Sequence, residues 1–460
     1  MASVSAALKR IREDLSEHLP DSSIIAACDA AKHQWRDRKL GPVMTLHLCM
    51  LQTLWFNTAI EHLRRLAGFP FTAAAYCNAR MRLPLEALQQ LLLESSASMR
   101  AAAHARADIG QSAAGEAAGL WRGLRAILVD GSSTITPDTP QLQAAFGQPS
   151  GQKPGCGFPV PKTLGLFDAF TGMIIQMMAF PLFTHEQSQV WQLHPLLKGG
   201  DLLVGDRGFC SFVHLAMLHA REVFACFRLH QRQTISFRPG RKSRDRFAQK
   251  DRAGRPNSTF LRKLGAHDQV VRWKRPSKKP EWMTATQWAE IPESLEVREL
   301  QYTLRANGQR TWVVTIATTL LDPVLYPKDA VAELYGIRWQ VETHFAELKT
   351  TLKMRKLKCK TEDGIRKELT IYCLIYNLVH AVIAKAAAQQ GVTPDRISFI
   401  DTIRWLCLAQ AGEAIPKLVV NKKRDRHEPR VIKDLQDSYR KMTRPRSELQ
   451  KELKMRGRID

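Results

Sequence analysis

The run Ala126-Ile127-Leu128-Val129-Asp130-Gly131 sets four apolar residues against a closing Asp-Gly pair. A short apolar run bounded by turn formers reads as a buried strand that emerges at the end of a sheet. The same pattern returns at Leu202-Leu203-Val204-Gly205-Asp206-Arg207-Gly208. Around these two runs, Thr163 to Phe167 and Met173 to Phe180 flank a turn containing Asp168 and Gly172, and Val223 to Phe227 follows a helix-like Ser211 to Ala220. Strands alternating with helices predict an α/β domain built on a mixed sheet. Asp-Gly and Asp-Arg-Gly are also ordinary turn chemistry. Yet strand ends are where α/β proteins collect site residues, so Asp130 and Asp206 are both candidates.

Working outward, residues 4–114 read as helices almost throughout, punctuated by Pro20, Gly41-Pro42, Gly68 and Pro70. An all-helical domain is expected over residues 1–120. Within it, Thr72 to Leu92 reads as a short helix ending at Arg80 and Arg82, a break at Pro84 and a second helix, which fits a DNA-binding motif and a plain helical hairpin equally. The first part of the α/β domain then covers 121–230. Between residues 228 and 279 the composition shifts to 17 Lys and Arg against three acidic residues. The strand-like runs Val270 to Trp273, Val297 to Leu304 and Thr311 to Thr318 mark 231–318 as a β-rich basic insertion. The α/β domain resumes over 319–410 with a helix starting near Lys328. Residues 411–460 form a basic tail suited to DNA or dimer contacts.

The whole chain of 460 residues carries 68 Lys and Arg against 44 Asp and Glu, a net charge of +24, with 44% apolar residues. That much apolar content excludes most of the disordered class. The charge calls for a polyanion, with nucleic acid ahead of an anionic membrane surface. Its concentration on either side of the α/β core favours a DNA path. Nine dispersed cysteines without Cys-x-x-Cys or zinc-type spacing read as reduced thiols of a cytosolic protein. Neither a signal peptide nor a run of eighteen uncharged apolar residues is found. The Gly-rich stretch at 147–154 lacks a Gly-Lys-Ser/Thr ending, so no nucleotide cofactor is expected. No His-Glu-x-x-His pattern or nucleophile elbow at Ser132-Ser133 supports a zinc or serine hydrolase.

Tyr335, Arg338, Glu342 and Lys349 share an arc of about 60° if the segment is one helix turning about 100° per residue. An apolar stripe, Leu334, Ile337, Val341, Phe345, Leu348 and Leu352, lies beside that row. The row is equally a solvated helix face with an Arg–Glu pair. Together with Asp130 and Asp206, however, Glu342 completes a set of three carboxylates able to hold two divalent cations. Paired Mg²⁺ or Mn²⁺ ions about 4 Å apart serve in-line phosphoryl displacement.

Leu128-Val129-Asp130-Gly131-Ser132-Ser133, Val204-Gly205-Asp206-Arg207-Gly208-Phe209-Cys210 and Tyr335-x2-Arg338-x3-Glu342-x6-Lys349 resemble the three motifs of the DDE transposases of bacterial insertion sequences, in the branch with the Tyr-Arg-Glu-Lys signature. The resemblance runs from about Leu124 to the C-terminus. It implies a ribonuclease H-like core interrupted by a β-stranded insertion, in a cytoplasmic, nucleoid-associated bacterial protein. By the same resemblance Asp130, Asp206 and Glu342 hold two Mg²⁺ ions, for which Mn²⁺ can substitute. Tyr335, Arg338 and Lys349 hold phosphates of the transposon end, with Arg207 and Lys153 as further DNA contacts. In relatives that cut through a hairpin, a Trp late in the insertion stacks on a flipped base; Trp312 stands at a comparable place, although a strand Trp is also ordinary core. The implied partners are transposon-end DNA and target DNA, bound by a homodimer. In the first 120 residues no family motif is matched, and Trp35 to Lys39 or Arg80 and Arg82 are the candidates for end binding. The competing readings are a metal-dependent nuclease of the same fold without strand transfer and a non-catalytic DNA-binding protein.

Overall fold

The computed structural model describes residues 13, 16–36, 38–110, 119–153, 155–230, 233–241, 257–304, 312–410, 412–420, 448, 451–452 and 455. Five helices lead: α1 (Asp21–Ala30), α2 (Pro42–Leu54), α3 (Ile60–Leu66), α4 (Ala73–Arg82) and α5 (Leu85–Gly110). Then come β1 (Arg125–Ser133), α6 (Pro140–Phe146), β2 (Lys162–Asp168), β3 (Ile174–Phe180), β4 (Asp201–Gly205), α7 (Phe212–His219) and β5 (Phe224–Arg228). The basic segment supplies β6 (Thr259–Gly265), β7 (Asp268–Lys274), α8 (Ala285–Glu290), β8 (Ser294–Leu304) and β9 (Trp312–Thr318). The chain closes with α9 (Lys328–Ile337), α10 (Gln340–Ala346), α11 (Glu362–Gln390) and α12 (Phe399–Leu408).

All nine strands join one sheet in the order β3-β2-β1-β4-β5-β9-β8-β7-β6. The expected α/β architecture on a mixed sheet is therefore present. β1 runs antiparallel to β2 and parallel to β4, β4 is parallel to β5, and β9 turns the remainder antiparallel. The strands of the basic segment thus continue the sheet and do not build a second one. β4 is buried along its whole length, as expected for a parallel strand covered on both faces. Its register decides the site: pairing with β4 stops at Val129–Gly205, so Asp130 lies beside Asp206, which follows β4; β1 itself does not end at Asp130 as expected but runs on to Ser133, because residues 130–133 pair with β2. Gly205 permits this closeness, since a Cβ there would lie 2.8 Å from Val129 Cγ1 and 3.2 Å from Phe227 Cδ1.

One apolar core joins the leading helices and α11 to one sheet face, and the second lies on the other face around α7. α11 is long and apolar enough to cross a membrane by composition, but its most apolar window is 78% buried inside the protein. It is capped by the Thr361 hydroxyl, which accepts from Gly364 N, and by Gly391 in the left-handed conformation. Asn377 fixes it to the sheet: its Oδ1 accepts from Ile174 N at 2.7 Å and its Nδ2 donates to Ile174 O at 2.8 Å. Glu368, on the same helix, accepts from Asn57 Nδ2 and from the backbone N–H groups of Lys358 and Cys359, tying the leading helices to the loop before α11.

The single helix expected over 335–349 is not formed. α9 ends at Ile337, and hydrogen bonds of three-residue spacing, Arg338 N to Tyr335 O and Val341 N to Arg338 O, tighten the chain before α10 begins. Residues Glu347–Thr351 then widen into a π-helix. Gly336, a weak helix former, sits at the break. A uniform 100° projection therefore misplaces Lys349 relative to Tyr335.

Arg298 of β8 is fully buried, donating to both carboxylate oxygens of Asp268 on β7 at 2.8 and 2.5 Å and to the Tyr326 carbonyl at 2.7 Å. Removing one partner of such a pair leaves an uncompensated buried charge. Arg298→Ala is expected to cost about 3–5 kcal/mol in a denaturant titration, and Arg298→Lys, which loses the fork, a large part of that.

Candidate active site

Asp130 sits at the mouth of the β1–β4 pair, where its Oδ1 accepts from Gly131 N at 2.7 Å. Burial pushes its carboxyl up to about 6, against the Gly131 N–H and Arg338, which lower it; Asp206 and Glu186 add repulsion. Asp206 follows β4 directly and its Oδ1 accepts from Gly208 N at 2.7 Å, a turn bond that holds the carboxylate at the sheet end. The turn reading and the site reading of these aspartates thus describe the same geometry.

Glu342 arrives from α10. Its bridge to the strands is Arg338, whose Nη1 lies 3.3 Å from Asp130 Oδ2 and whose Nη2 lies 3.4 Å from Glu342 Oε1. The guanidinium is 9% exposed and lies 5.9 Å from the Tyr335 ring and 5.1 Å from the Trp339 ring, while its Nε is buried without a hydrogen-bond partner. Lys349, on the π-helical turn, donates to Ser132 Oγ at 3.1 Å, and burial followed by Arg355 lowers its ammonium below the usual range. Tyr335 is buried, and burial raises its phenol, with Asp206 among the groups that add to the effect. So six of the expected residues, from two adjacent strands and one broken helical segment, are linked by direct contacts or, for Asp206, by electrostatic coupling.

A fourth carboxylate, Glu186, was not singled out from the sequence. It lies on a short 3₁₀ turn, Glu186–Ser188, and a Cβ on Gly131 would come within 2.4 Å of its Oε1. Glu186 thus occupies the space beside Gly131, and a side chain there would displace its carboxylate. Burial raises the Glu186 carboxyl; Lys162 opposes this and Asp206 reinforces it. A signal was present in the sequence, since Glu186 is the one acidic residue between Asp168 and Asp201. An all-oxygen donor set of this kind suits hard divalent cations.

The remaining expected contacts lie apart or outside these bonds. Arg207 is exposed beside Asp206, and Lys153 is exposed on the loop after α6. Trp312 opens β9 opposite Leu304, while its side chain falls outside the described residues. In the leading helices, the two alternatives for end binding come together: Trp35, Arg36, Arg38 and Arg82 line one groove. Arg80 instead lies 5.6 Å from the Tyr76 ring, partly buried. The whole basic stretch 242–256 and nearly all of the tail from 421 lie outside the described residues.

Residues 121–378 match the model of the transposase DDE domain. The chain is 24% identical over 335 residues to the transposase InsG of insertion sequence element IS4 from Escherichia coli (strain K12), covering 68% of this chain and 69% of that protein. Among solved structures, the piggyBac transposase synaptic complex with hairpin DNA overlays 88% of this chain and 80% of its own, at 8% identity and a TM-score of 0.39. Asp130, Glu186, Asp206, Arg338 and Glu342 all fall inside the matched span.

The raised Asp130 carboxyl has a consequence for the metal-free protein. Its native form takes up a proton near pH 6 and the unfolded chain near pH 4, so between these values the native state binds more protons and stability falls as pH rises. Asp130→Asn removes that penalty, on the order of 3 kcal/mol. Thermal melts in chelator should show the variant more stable than the parent at pH 7.5 and indistinguishable from it near pH 4. A variant less stable at pH 7.5 would contradict this electrostatic reading.

Proposed function

The chain belongs to the DDE transposase family, and from that premise we propose that it binds the terminal inverted repeats of an insertion sequence, cleaves the ends and joins their 3′-hydroxyls to target DNA. The observation that carries the reading is Arg338, which bridges Asp130 of β1 to Glu342 of α10, with Asp206, directly after the adjacent β4, close enough to repel Asp130. The strand order β3-β2-β1-β4-β5, with β1 antiparallel to β2 and parallel to β4, supports a ribonuclease H-like description of the core.

The residues present fit divalent cations: the donors are carboxylate oxygens, and one carboxyl is held near 6 by burial and like charge, a repulsion that a cation would relieve. Asp130, Asp206 and Glu342 would hold the ions, with Glu186 as an additional oxygen ligand or orienting group. When bound, two Mg²⁺ or Mn²⁺ ions supply activation of water or of a 3′-hydroxyl and stabilisation of the leaving oxygen. The protein's own groups do the positioning. Arg338, which lies between Asp130 and Glu342, would offer two parallel hydrogen bonds to a backbone phosphate. Lys349 offers a point charge beside Ser132, and burial keeps the Tyr335 phenol protonated as a donor. The groove at Trp35, Arg36, Arg38 and Arg82 combines an aromatic face with guanidinium groups suited to the DNA end. Cutting two ends together calls for a homodimer in the DNA complex, and the setting is the bacterial nucleoid.

Replacing Asp130 or Asp206 by Asn, or Glu342 by Gln, should lower Mg²⁺-dependent cleavage of end DNA by a factor on the order of 10³ or more while end binding by gel shift stays within a few-fold. Cleavage retained in all three would sink the site. Products cut but never joined to a target plasmid would select the nuclease reading. Binding should also weaken steeply between about 50 and 200 mM salt, and Arg36→Ala with Arg38→Ala should flatten that slope; an unchanged slope removes the groove from the DNA path.

A further inference from the structure

Behind the carboxylate site, the π-helical turn meets α11 at His344, Glu347 and His380, whose donor atoms all lie within 4.8 Å of one another. The hydrogen bonding around them is incomplete in a specific way. The Thr171 carbonyl can only accept, and it lies 3.0 Å from His380 Nδ1, so that nitrogen carries the proton. His380 Nε2 is left facing Glu347 Oε2 at 3.5 Å, buried and without a hydrogen-bond partner. His344 Nδ1 stands 3.6 Å from the same oxygen and 2.8 Å from the Tyr376 hydroxyl oxygen, a hydrogen bond that a bound ion would replace. The two gaps to Glu347 Oε2 exceed a hydrogen bond. They match the edge of a tetrahedron around zinc, about 3.4 Å for ligand bonds of about 2.0–2.1 Å.

The surroundings also have the form of a ligand shell. The Tyr376 hydroxyl donates to Glu347 Oε2 at 2.9 Å, orienting the carboxylate, and Thr171 orients the His380 ring. Gly172, at φ 71°, makes the space: a Cβ there would lie 2.7 Å from His344 Cε1 and 2.9 Å from His380 Cε1. His380 is 7% exposed and His344 9%.

We propose that His344, Glu347 and His380 bind one zinc-type divalent ion, which clasps the turn bearing Lys349 to the core helix α11. Two imidazole nitrogens and one carboxylate in a closed site favour Zn²⁺ over Mg²⁺, so this centre differs in donor chemistry from the all-oxygen site and does not depend on the DDE reading.

The test uses the full chain carrying Asp130→Asn, Asp206→Asn and Glu342→Gln, which removes the oxygen site, after dialysis against chelator. Calorimetric titration with Zn²⁺ alone should show one equivalent bound, and Co²⁺ alone should give a tetrahedral d–d spectrum without a thiolate charge-transfer band. Adding His380→Asn should abolish that equivalent, His380→Cys should retain it and introduce the thiolate band, and Tyr376→Phe should weaken it by about 10- to 100-fold. Should His380→Asn fail to fold by circular dichroism, the Cys variant decides alone. No stoichiometric Zn²⁺ uptake, a thiolate band before any Cys is introduced, or a Co²⁺ spectrum unchanged in His380→Cys would each overturn the proposal.

Discussion

The parallel pairing of β1 with β4 is the constraint from which the rest follows. Because that pairing stops at Val129–Gly205, the next residue on each segment is a carboxylate at the same end of the β1–β4 pair. Two negative groups held this closely repel, and burial of Asp130 makes the repulsion harder to screen. The fold accepts that cost only because packing on both faces over-determines the register. Gly205 is where the compromise is visible: any side chain would push β4 away from β1 and β5 and separate the two aspartates.

Everything brought to this end of the sheet is arranged around that charge. Arg338 lies between Asp130 and Glu342 and is half-sandwiched by Tyr335 and Trp339, so its position is set by stacking as much as by ion pairing. Glu186 adds a further carboxylate, and Gly131 gives it room. A structural ion-pair network would be balanced within itself. Here Asp130 and Glu342 share one guanidinium while Asp206 and Glu186 add repulsion, an arrangement that suits a centre completed by cations and phosphate.

Much of this was legible in the sequence for identifiable reasons. The run closed by Asp-Arg-Gly ends β4 as read, whereas β1 continues past Asp130-Gly131 to Ser133 because those residues pair with β2, a contact no local pattern encodes; Arg338 and Glu342, four apart, still meet despite the helix break. Lys349 was placed by assuming one regular helix, and the tightening at 338–341 followed by a π-turn defeats that assumption. Glu186 escaped because its proximity to Asp130 depends on the course of the loop after β3, which no periodicity encodes. The sheet's continuation from β5 into β9 likewise rests on a pairing between residues about ninety apart in sequence. The histidine cluster was invisible for the same reason: His344 and Glu347 are a local pair, but His380 reaches them only once α11 is packed.

The irregular segment from Arg338 to Thr351 therefore serves two environments at once. Its first turn presents Arg338 and Glu342 to the carboxylates, and its last presents Lys349 to Ser132, while the inward side lodges His344 and Glu347 against α11. A regular helix would keep Lys349 on the arc of Glu342; here the break at 338–341 and the wider turn at 347–351 set its direction instead. π-helical turns are rare, occur mostly as single turns within α-helices and are frequent at functional sites. Something must hold this one in place. Tyr376, Asn377 and His380 sit on adjacent positions of a helix that is itself bonded to the edge of the sheet through Ile174, so the turn is anchored to the same sheet whose far end carries Asp130. The geometry of the reactive end thus depends on how firmly the inward side of that segment is clasped to α11.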